Sequence, residues 1–302
     1  MSLIRARGLV KHFDGLVAVG GINFDIEGGE CYGFLGPNGA GKTSIMRMIY
    51  GVSPITSGEV LVDGKDVRLF PKQIRSMVGV IPQDNNLDQD LSVLQNLLVY
   101  ARYFSIKGES ARERARDALD LLQLWDRRDS NTEVLSSGMK RRLVIARGLI
   151  NDPKVLILDE PTTGLDPQAR HLVWQKLRFL KGQGATLVLT THYMDEASHL
   201  CDRLAILDKG KILVEGSPSE LTSRHVGQEV MELSPRQEDR ESSIQWLQER
   251  HLEVEAVEDA LYVFGRESGN LPQPPGNFEK VVRRRATLED VFLKLTGRAL
   301  HE

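Results

Sequence analysis

Short apolar runs alternate with segments of helical periodicity along the first two thirds of the chain, which indicates an α/β fold. Val155–Leu158 is an uninterrupted apolar run, as expected of a central parallel strand that is buried on both faces. The pattern predicts further strands at Cys31–Leu35, Val78–Ile81 and Thr186–Thr191, and helices at Thr43–Tyr50 and Met139–Ile150. It also predicts a mainly helical region from Leu87 to about Trp125, with one apolar face formed by Leu94, Leu97, Leu98, Ala101 and Phe104.

The pattern changes after Gly227, where short strands and helices replace the longer alternation. Thr287 and Asp290 have the spacing of a capping box and Gly297 supplies a stop, so a final helix is expected between Thr287 and Gly297. This part of the chain therefore predicts a small α+β appendage. Its other predicted elements are strands at Val230–Leu233, Leu252–Ala256 and Leu261–Phe264, a helix at Ile244–Glu249 and a loop at Gly269–Asn277.

A glycine-rich segment follows the predicted strand at Cys31–Leu35. Residues 36–43 fit the pattern G-x-x-x-x-G-K-[ST], the phosphate loop that binds a triphosphate. Its glycines let the backbone approach the phosphates, Lys42 places a positive charge on them, and the Thr43 hydroxyl can hold Mg²⁺. The alternative is a glycine-rich turn with a chance lysine. The predicted nucleotide-binding residues here are Gly36, Pro37, Asn38, Gly39, Ala40, Gly41, Lys42, Thr43 and Ser44.

Two adjacent carboxylates, Asp159 and Glu160, follow the buried strand directly. In α/β folds, ligands bind outside the carboxyl ends of the parallel strands. We therefore expect Asp159 to hold Mg²⁺, in part through water, and Glu160 to orient or polarise the water that attacks the phosphate. The alternative is that the pair only ends a strand before the turn at Pro161.

The composition limits the classes of function. The chain has 302 residues and a net charge of −3, so no global positive field attracts nucleic acid. Two cysteines without paired spacing, and no evident signal peptide, favour a reducing cytosol. No apolar stretch approaches the length needed to cross a bilayer. The basic clusters Lys140–Arg142 and Arg283–Arg285 are most simply solvated faces, although the second could contact lipid headgroups or a partner.

Leu135-Ser136-Ser137-Gly138-Met139 lies between the phosphate loop and the acidic pair, and His192 lies beyond that pair. In this order the motifs resemble those of the ATP-binding subunits of ATP-binding cassette (ABC) transporters, whose signature usually reads LSGGQ. The resemblance implies a P-loop NTPase core of the RecA type, an antiparallel β layer that includes Leu3–Val10 and Gly20–Ile26, and a helical subdomain. The implied domains are a nucleotide-binding domain at 1–224, with the helical subdomain at about 86–150, and a C-terminal accessory domain at 225–302.

The resemblance also implies that a second subunit completes the site. Ser136 and Gly138 would contact the γ-phosphate bound by the opposite subunit, and Asp166 would touch that subunit. Two residues depart from the usual signature. Ser137 replaces a glycine, which puts a left-handed backbone at that position in doubt, and Met139 replaces a glutamine and removes a polar contact.

Three further residues take roles from the resemblance. Gln83 would approach Mg²⁺ and the attacking water, His192 would contact the γ-phosphate, and Phe13 would stack on the adenine. Considered alone, Gln83 would be an ordinary turn residue and Phe13 a residue of the core.

The segment Ala286–Arg298 resembles the tail of bacterial exporter ATPases that serve drugs and lipo-oligosaccharides, the nodulation-factor type. This resemblance implies ATP hydrolysis with Mg²⁺, a homodimer, and a separate integral-membrane permease that holds the protein on the cytoplasmic face of the cell membrane. Apolar residues near Leu87, Leu91 and Val93 would either form a groove for that permease or only pack the subdomain. Nucleic acid is not expected as a partner. The alternatives are a soluble cassette ATPase acting on DNA or ribosomes, and an importer subunit.

Overall fold

The computed structural model describes residues 2–265, 271, 274 and 278–297. The chain divides into two compact units. The first comprises Met1–Arg203 with Leu207–Ile212, and the second comprises Leu204–Ile206 with Leu213–Glu302. The expected domain boundary between residues 224 and 225 lies inside the second unit.

The first unit contains two sheets. Its strands are β1 Ser2–Phe13, β2 Leu16–Glu27, β3 Cys31–Leu35, β4 Ser57–Val62, β5 Lys65–Asp66, β6 Val78–Ile81, β7 Val155–Asp159 and β8 Thr186–Thr191. One sheet is antiparallel with the order β2-β1-β4-β5, which is the layer that the resemblance implied. In the other sheet, β3, β8, β7 and β6 are neighbours in that order and run parallel. The chain passes between the two units within β9 Arg203–Asp208 and β10 Lys211–Gly216.

The parallel strands form the centre of the first unit because nearly every side chain on them is buried. All residues of β3 and β8 are buried, as are the first four residues of β7. The sequence predicts these strands correctly, since a parallel sheet covered on both faces needs apolar side chains at successive positions.

Helices cover the sheet and form the helical subdomain. They are α1 Lys42–Ile49, α2 Pro71–Met77, α3 Val93–Tyr103, α4 Gly108–Leu121, α5 Ser137–Gly148, α6 Pro167–Gly182 and α7 Met194–Leu200. Ser92 and Gln95 form a capping box at the start of α3. No helix among residues 2–265 and 278–297 is long and apolar enough to cross a bilayer.

The sequence left open whether the apolar residues near the start of α3 form a groove or only pack the subdomain. Val93 is fully buried, and Leu87 and Leu91 are partly buried. The apolar side chains that α3 exposes to solvent are Val99 and Tyr103. For Val93 this favours the packing alternative, because Val93 lies on the same helix face as the buried Leu97, four residues later.

The second unit contains an antiparallel sheet with helices. Its elements are α8 Pro218–His225, β11 Glu229–Pro235, α9 Arg240–Gln248, β12 Glu253–Val257, β13 Ala260–Gly265, β14 Phe278–Arg285 and α10 Leu288–Thr296. The strand order is β12-β13-β11-β14. Alternate residues of the strands face a small core of Met231, Leu233, Leu247, Leu261, Val263 and Leu271.

The strands and helices predicted for this unit are present, but one further strand was not predicted. The capping box of Thr287 and Asp290 is present, and Gly297 ends α10 with φ +69°. The sequence gives no apolar alternation at Phe278–Arg285, so β14 was not predicted. Arg284 is not merely solvated, because it makes a two-pronged ion pair with the buried Asp290 at 2.7 Å on each side. The predicted loop at Gly269–Asn277 lies outside the described residues, apart from Leu271 and Pro274, as does the tail residue Arg298.

Candidate functional site

The predicted site residues leave the parallel strands at one edge of the sheet. Gly36, Glu160 and His192 directly follow β3, β7 and β8. Gln83 is the second residue after β6. Because these four strands are parallel neighbours, their carboxyl ends meet at the same edge, where open α/β sheets bind ligands.

The phosphate loop turns so tightly that two of its glycines have no room for a side chain. A Cβ on Gly36 would lie 2.3 Å from the carbonyl oxygen of Leu207, and one on Gly41 would lie 2.4 Å from that of Ala18. Gly41 also has φ +100°. It is the N-cap of α1, and no side chain caps this helix, so the positive end of α1 is directed at the loop.

Lys42 is buried within the loop that precedes it. Its Nζ donates to the carbonyl oxygens of Gly36 at 2.7 Å and Pro37 at 3.0 Å, and lies 3.8 Å from Oε1 of Glu160. Burial lowers the pKa of Lys42, and the nearby Glu160 and Asp159 carboxylates oppose that shift. The loop therefore holds a cation at its centre.

Asp159 is surrounded by hydroxyl groups. The Thr43 hydroxyl donates to Oδ1 of Asp159 at 3.1 Å, and the Thr190 hydroxyl donates to the same oxygen at 2.5 Å. A hydroxyl and a carboxylate at contact distance are the oxygen donors that Mg²⁺ prefers. This pair therefore fits a magnesium ion. Thr190 was not among the predicted site residues, because a threonine inside a strand carries no separate signal.

Glu160 is held by contacts on both carboxylate oxygens. Its Oε2 accepts from the Gln83 amide at 3.2 Å and from the Thr163 hydroxyl at 3.1 Å. Nδ1 of His192 lies 3.2 Å from Oε1. The structure thus brings Lys42, Gln83 and His192 together around one carboxylate.

The backbone of Glu160 is in an unusual conformation. Its φ is +46°, in a backbone region that residues other than glycine rarely occupy and that costs about 1–3 kcal/mol. The Glu160 N–H donates to both the carbonyl oxygen and the hydroxyl of Thr190, at 3.1 and 3.0 Å. Strain of this kind persists only where the surrounding structure fixes it.

We expect the contribution of Glu160 to stability to depend on pH. The contact with His192 lowers its pKa below the ordinary value of 4.5, helped by Lys42 and Thr163 and opposed by burial. A carboxyl with a lowered folded-state pKa stabilises the fold above its unfolded pKa, and that stability is lost as pH falls through the folded pKa. The difference in unfolding temperature between nucleotide-free wild type and Glu160→Gln should therefore shrink below pH 4.5. A difference that stays constant in thermal unfolding from neutral pH to well below 4.5 would contradict the assignment.

Phe13 lies beside the phosphate loop and not in the core. Its ring is 46% exposed, so the alternative of a core phenylalanine is wrong. Nζ of Lys11 lies 4.5 Å from the ring centroid. A cavity of about 310 Å³ joins this ring to the loop, with walls formed by Phe13, Leu16, Ala18, Asn38, Gly39, Gly41, Lys42, Thr43, Ser44, Gln83 and Glu160.

The signature residues and Asp166 do not line that cavity. Ser136 is the N-cap of α5 and accepts from the Met139 N–H at 3.2 Å, and Asp166 is the N-cap of α6 and accepts from the Ala169 N–H at 2.9 Å. Gly138 is buried, and a Cβ on it would lie 2.9 Å from that of Ala169. Within one described chain, the site therefore has phosphate-loop and acidic residues but none from the signature.

Ser137 occupies an ordinary helical position. It is exposed, it begins α5, and it is not among the residues with positive φ. The doubt about a left-handed backbone is therefore removed, because this position has no conformational need for glycine. We expect Ser137→Gly to change the ATP hydrolysis rate by less than about threefold. A gain in steady-state hydrolysis well above that factor would show that the natural site is impaired.

Arg141 corrects the prediction for the basic cluster Lys140–Arg142. Its side chain is only 3% exposed, and burial lowers its pKa to about 10. The guanidinium contacts the backbone on both sides of the site, so it is not on a solvated face. Arg141 was not predicted as a site residue, because a run of three basic residues is usually a solvated face.

The fold and the site together define a P-loop nucleotide-binding cassette. Residues 19–163 match the family model described as ABC transporter, and residues 239–297 match the model described as Nodulation factor export protein NodI, C-terminal domain. The chain belongs to the ATP-binding subunits of ABC transporters, a family of P-loop ATPases.

Curated relatives match this chain over nearly its whole length. A Nod factor export ATP-binding protein I from Rhizobium sp. (strain N33) is 42% identical, covering 98% of this chain and 97% of the relative. The protein of the same name from Cupriavidus metallidurans is 41% identical, covering 100% and 99%.

Solved structures share the fold of the cassette. CbiO1 from Clostridium perfringens, part of the ABC transporter complex cbiONQ, is 29% identical with a TM-score of 0.69 and covers 83% of this chain and 98% of its own. The ATP-binding cassette MJ0796, in a dimeric post-hydrolysis state bound to ADP and Pi, is 26% identical with a TM-score of 0.64 and covers 71% and 98%.

Proposed function

We propose that this chain binds and hydrolyses Mg·ATP between two copies of itself and thereby powers an exporter whose membrane-embedded subunit is a separate chain. The observation that carries the proposal is the cluster of Lys42, Gln83, Asp159, Glu160 and His192 at one sheet edge, beside a phosphate loop. The curated relatives are named for Nod factor export, which favours an export function over that of a soluble ATPase acting on DNA or ribosomes.

Each residue of the cluster has a role in hydrolysis that follows from its contacts. Lys42 offers the β- and γ-phosphates a desolvated positive charge, and His192 offers the γ-phosphate a polar contact. Glu160 orients and polarises the attacking water, and Gln83 keeps that carboxylate in place through its amide. Phe13 stacks on the adenine from the open side of the cavity.

Thr43 and Asp159 would hold Mg²⁺, with Gln83 nearby. When bound there, the ion would supply positive charge that offsets the negative charge of the phosphates. Thr190 fixes the Asp159 carboxylate by its hydrogen bond, so this ligand is oriented by its neighbour as well as by the strand.

The second half of the site comes from another copy of the chain. Ser136 and Gly138 lie at the N-terminus of α5, which is suited to an anion, but neither lines the cavity that contains Lys42. Two copies related by a two-fold axis would place the signature of each against the γ-phosphate of the other, with Asp166 near the interface. The dimeric state of the MJ0796 cassette supports this arrangement.

The membrane partner would dock on the exposed face of α3. Tyr103 is 80% exposed and Val99 is 37% exposed. Tyr100 packs against Tyr103 and Phe104, and the Arg147 guanidinium lies 5.1 Å from the Tyr100 ring. Arg147 also donates to the Asn86 carbonyl oxygen, which connects this surface to the segment that follows Gln83. Docking at this face would keep the protein at the cytoplasmic side of the membrane.

Co-purification from detergent-solubilised membranes tests the export proposal. A tagged chain should capture a hydrophobic protein with several membrane spans, and the class of cargo, a lipo-oligosaccharide or related lipid, can then be assayed by transport. Tyr103→Ser should reduce that capture, whereas Phe179→Ser, which changes a ring that is 51% exposed on α6, should not. Capture of ribosomal proteins or DNA alone would support the competing class.

A further inference from the structure

The Arg141 guanidinium uses all of its N–H groups on backbone carbonyl oxygens. Nε donates to Pro161 at 2.6 Å, Nη1 donates to Pro82 at 2.5 Å and Gln83 at 3.1 Å, and Nη2 donates to Asp159 and Glu160 at 3.2 Å each. An arginine has five such donors in a planar fork, so this arrangement satisfies the whole group.

The five acceptors belong to two segments that leave neighbouring parallel strands. Pro82 and Gln83 follow β6, while Asp159 to Pro161 end β7 and continue beyond it. A single side chain thus crosses between the segment that carries the Gln83 amide and the segment that carries the Glu160 carboxylate. Because its partners are backbone atoms, Arg141 fixes the main chain from which those side chains project.

The backbone that Arg141 holds is the strained one. Glu160 has φ +46°, with its N–H bonded to Thr190 and its carbonyl oxygen bonded to Arg141. The peptide groups on both sides of this residue are therefore fixed, which is the condition under which a rare conformation persists. Arg141 is also on α5, whose N-cap is the signature residue Ser136.

We propose that Arg141 is a positioning residue for hydrolysis, which sets the backbone of Gln83 and Glu160 and ties both to the helix of the signature. This inference rests on the proposed function, because it takes Glu160 as the residue that polarises the water. Arg141 does not line the nucleotide cavity, so its loss should disturb the chemical step more than ATP binding.

The test is Arg141→Lys compared with Arg142→Lys in the full chain. Arg142 is the next residue on α5, but it donates to the carbonyl oxygens of Leu122 and Gln123, away from the site. Lysine at 141 keeps the charge and loses the planar fork. We expect Arg141→Lys to lower kcat about 10- to 100-fold with KM for ATP changed less than about threefold, and Arg142→Lys to change neither by more than about threefold.

A second measurement separates positioning from a general loss of structure. If Arg141 acts through Glu160, Arg141→Lys should not lower the residual single-turnover rate of Glu160→Gln any further, because residues that act as a unit are not additive. Wild-type kinetics for Arg141→Lys, an equal loss for Arg142→Lys, or a full further loss in the Glu160→Gln background would overturn the proposal.

Folding of each variant is checked by its unfolding temperature, and Arg141→Gln is used where Arg141→Lys unfolds at the assay temperature. If neither variant folds, the role of Arg141 is structural and the positioning proposal is overturned. Failure of the proposed function looks different. In that case Glu160→Gln alone would hydrolyse ATP at the wild-type rate, whatever Arg141→Lys does.

Discussion

Glu160→Gln will lower the ATP hydrolysis rate about 100- to 10,000-fold, the usual range for loss of a general base, while ATP binding persists. Glutamine has nearly the same shape as Glu160 and can still contact Gln83 and Thr163. It lacks the negative charge needed to polarise water. Because the γ-phosphate then stays in place, the variant should form a dimer that elutes earlier on size exclusion in ATP but not in ADP.

The control for this prediction is Glu109→Gln, which changes an exposed glutamate at the start of α4 and should leave both rate and elution unchanged. Hydrolysis by Glu160→Gln at the wild-type rate would remove Glu160 from its proposed role. If Glu160→Gln hydrolyses ATP slowly but stays monomeric in ATP, Glu160 keeps its proposed role in hydrolysis. That result would contradict the proposal that two chains share each nucleotide site.

Lys42→Ala will weaken ATP binding about 100-fold or more. A charge-assisted contact with phosphate in a buried site is worth roughly 3 kcal/mol, and every 1.4 kcal/mol is a factor of ten in affinity. The variant also removes the Lys42 hydrogen bonds to the carbonyl oxygens of Gly36 and Pro37, which loosens the loop. Isothermal titration calorimetry with ATP and Mg²⁺ measures the effect.

Lys72→Ala is the matched control, because Lys72 is exposed on α2 and does not line the nucleotide cavity. Its ATP affinity should equal that of wild type. Undiminished binding by Lys42→Ala would count against the phosphate-loop assignment.

The sequence predicts the parallel core well because the physical requirement is strict. A strand covered on both faces must be apolar throughout, and Val155–Leu158 meets that requirement with the acids at its end. The phosphate loop could also be predicted from the sequence, because any such loop needs glycines at positions that have no room for a side chain. Such local requirements can be recognised directly in the amino-acid sequence.

Contacts between segments that are distant in the sequence could not be predicted in this way. Arg141 reaches carbonyl oxygens 58 and 59 residues before it, at Gln83 and Pro82, and nothing in the run Lys140–Arg142 distinguishes it from the two basic residues beside it. Thr190 and β14 were missed for the same reason. A strand hydroxyl and a charged edge strand acquire their meaning from the residues that the fold places beside them.

The central claim is that each nucleotide site needs two chains, and mixing two defective variants tests it most directly. Both carry Glu160→Gln; one adds Lys42→Ala and the other adds Ser136→Asp, which keeps an N-cap residue but presents negative charge. Alone, neither should form an ATP-dependent dimer. Mixed, they share one intact site, made from Lys42 of one chain and Ser136 of the other, so differently tagged chains should co-purify in ATP with one nucleotide per pair. Co-purification and bound ATP no greater than in the separate samples would contradict the account.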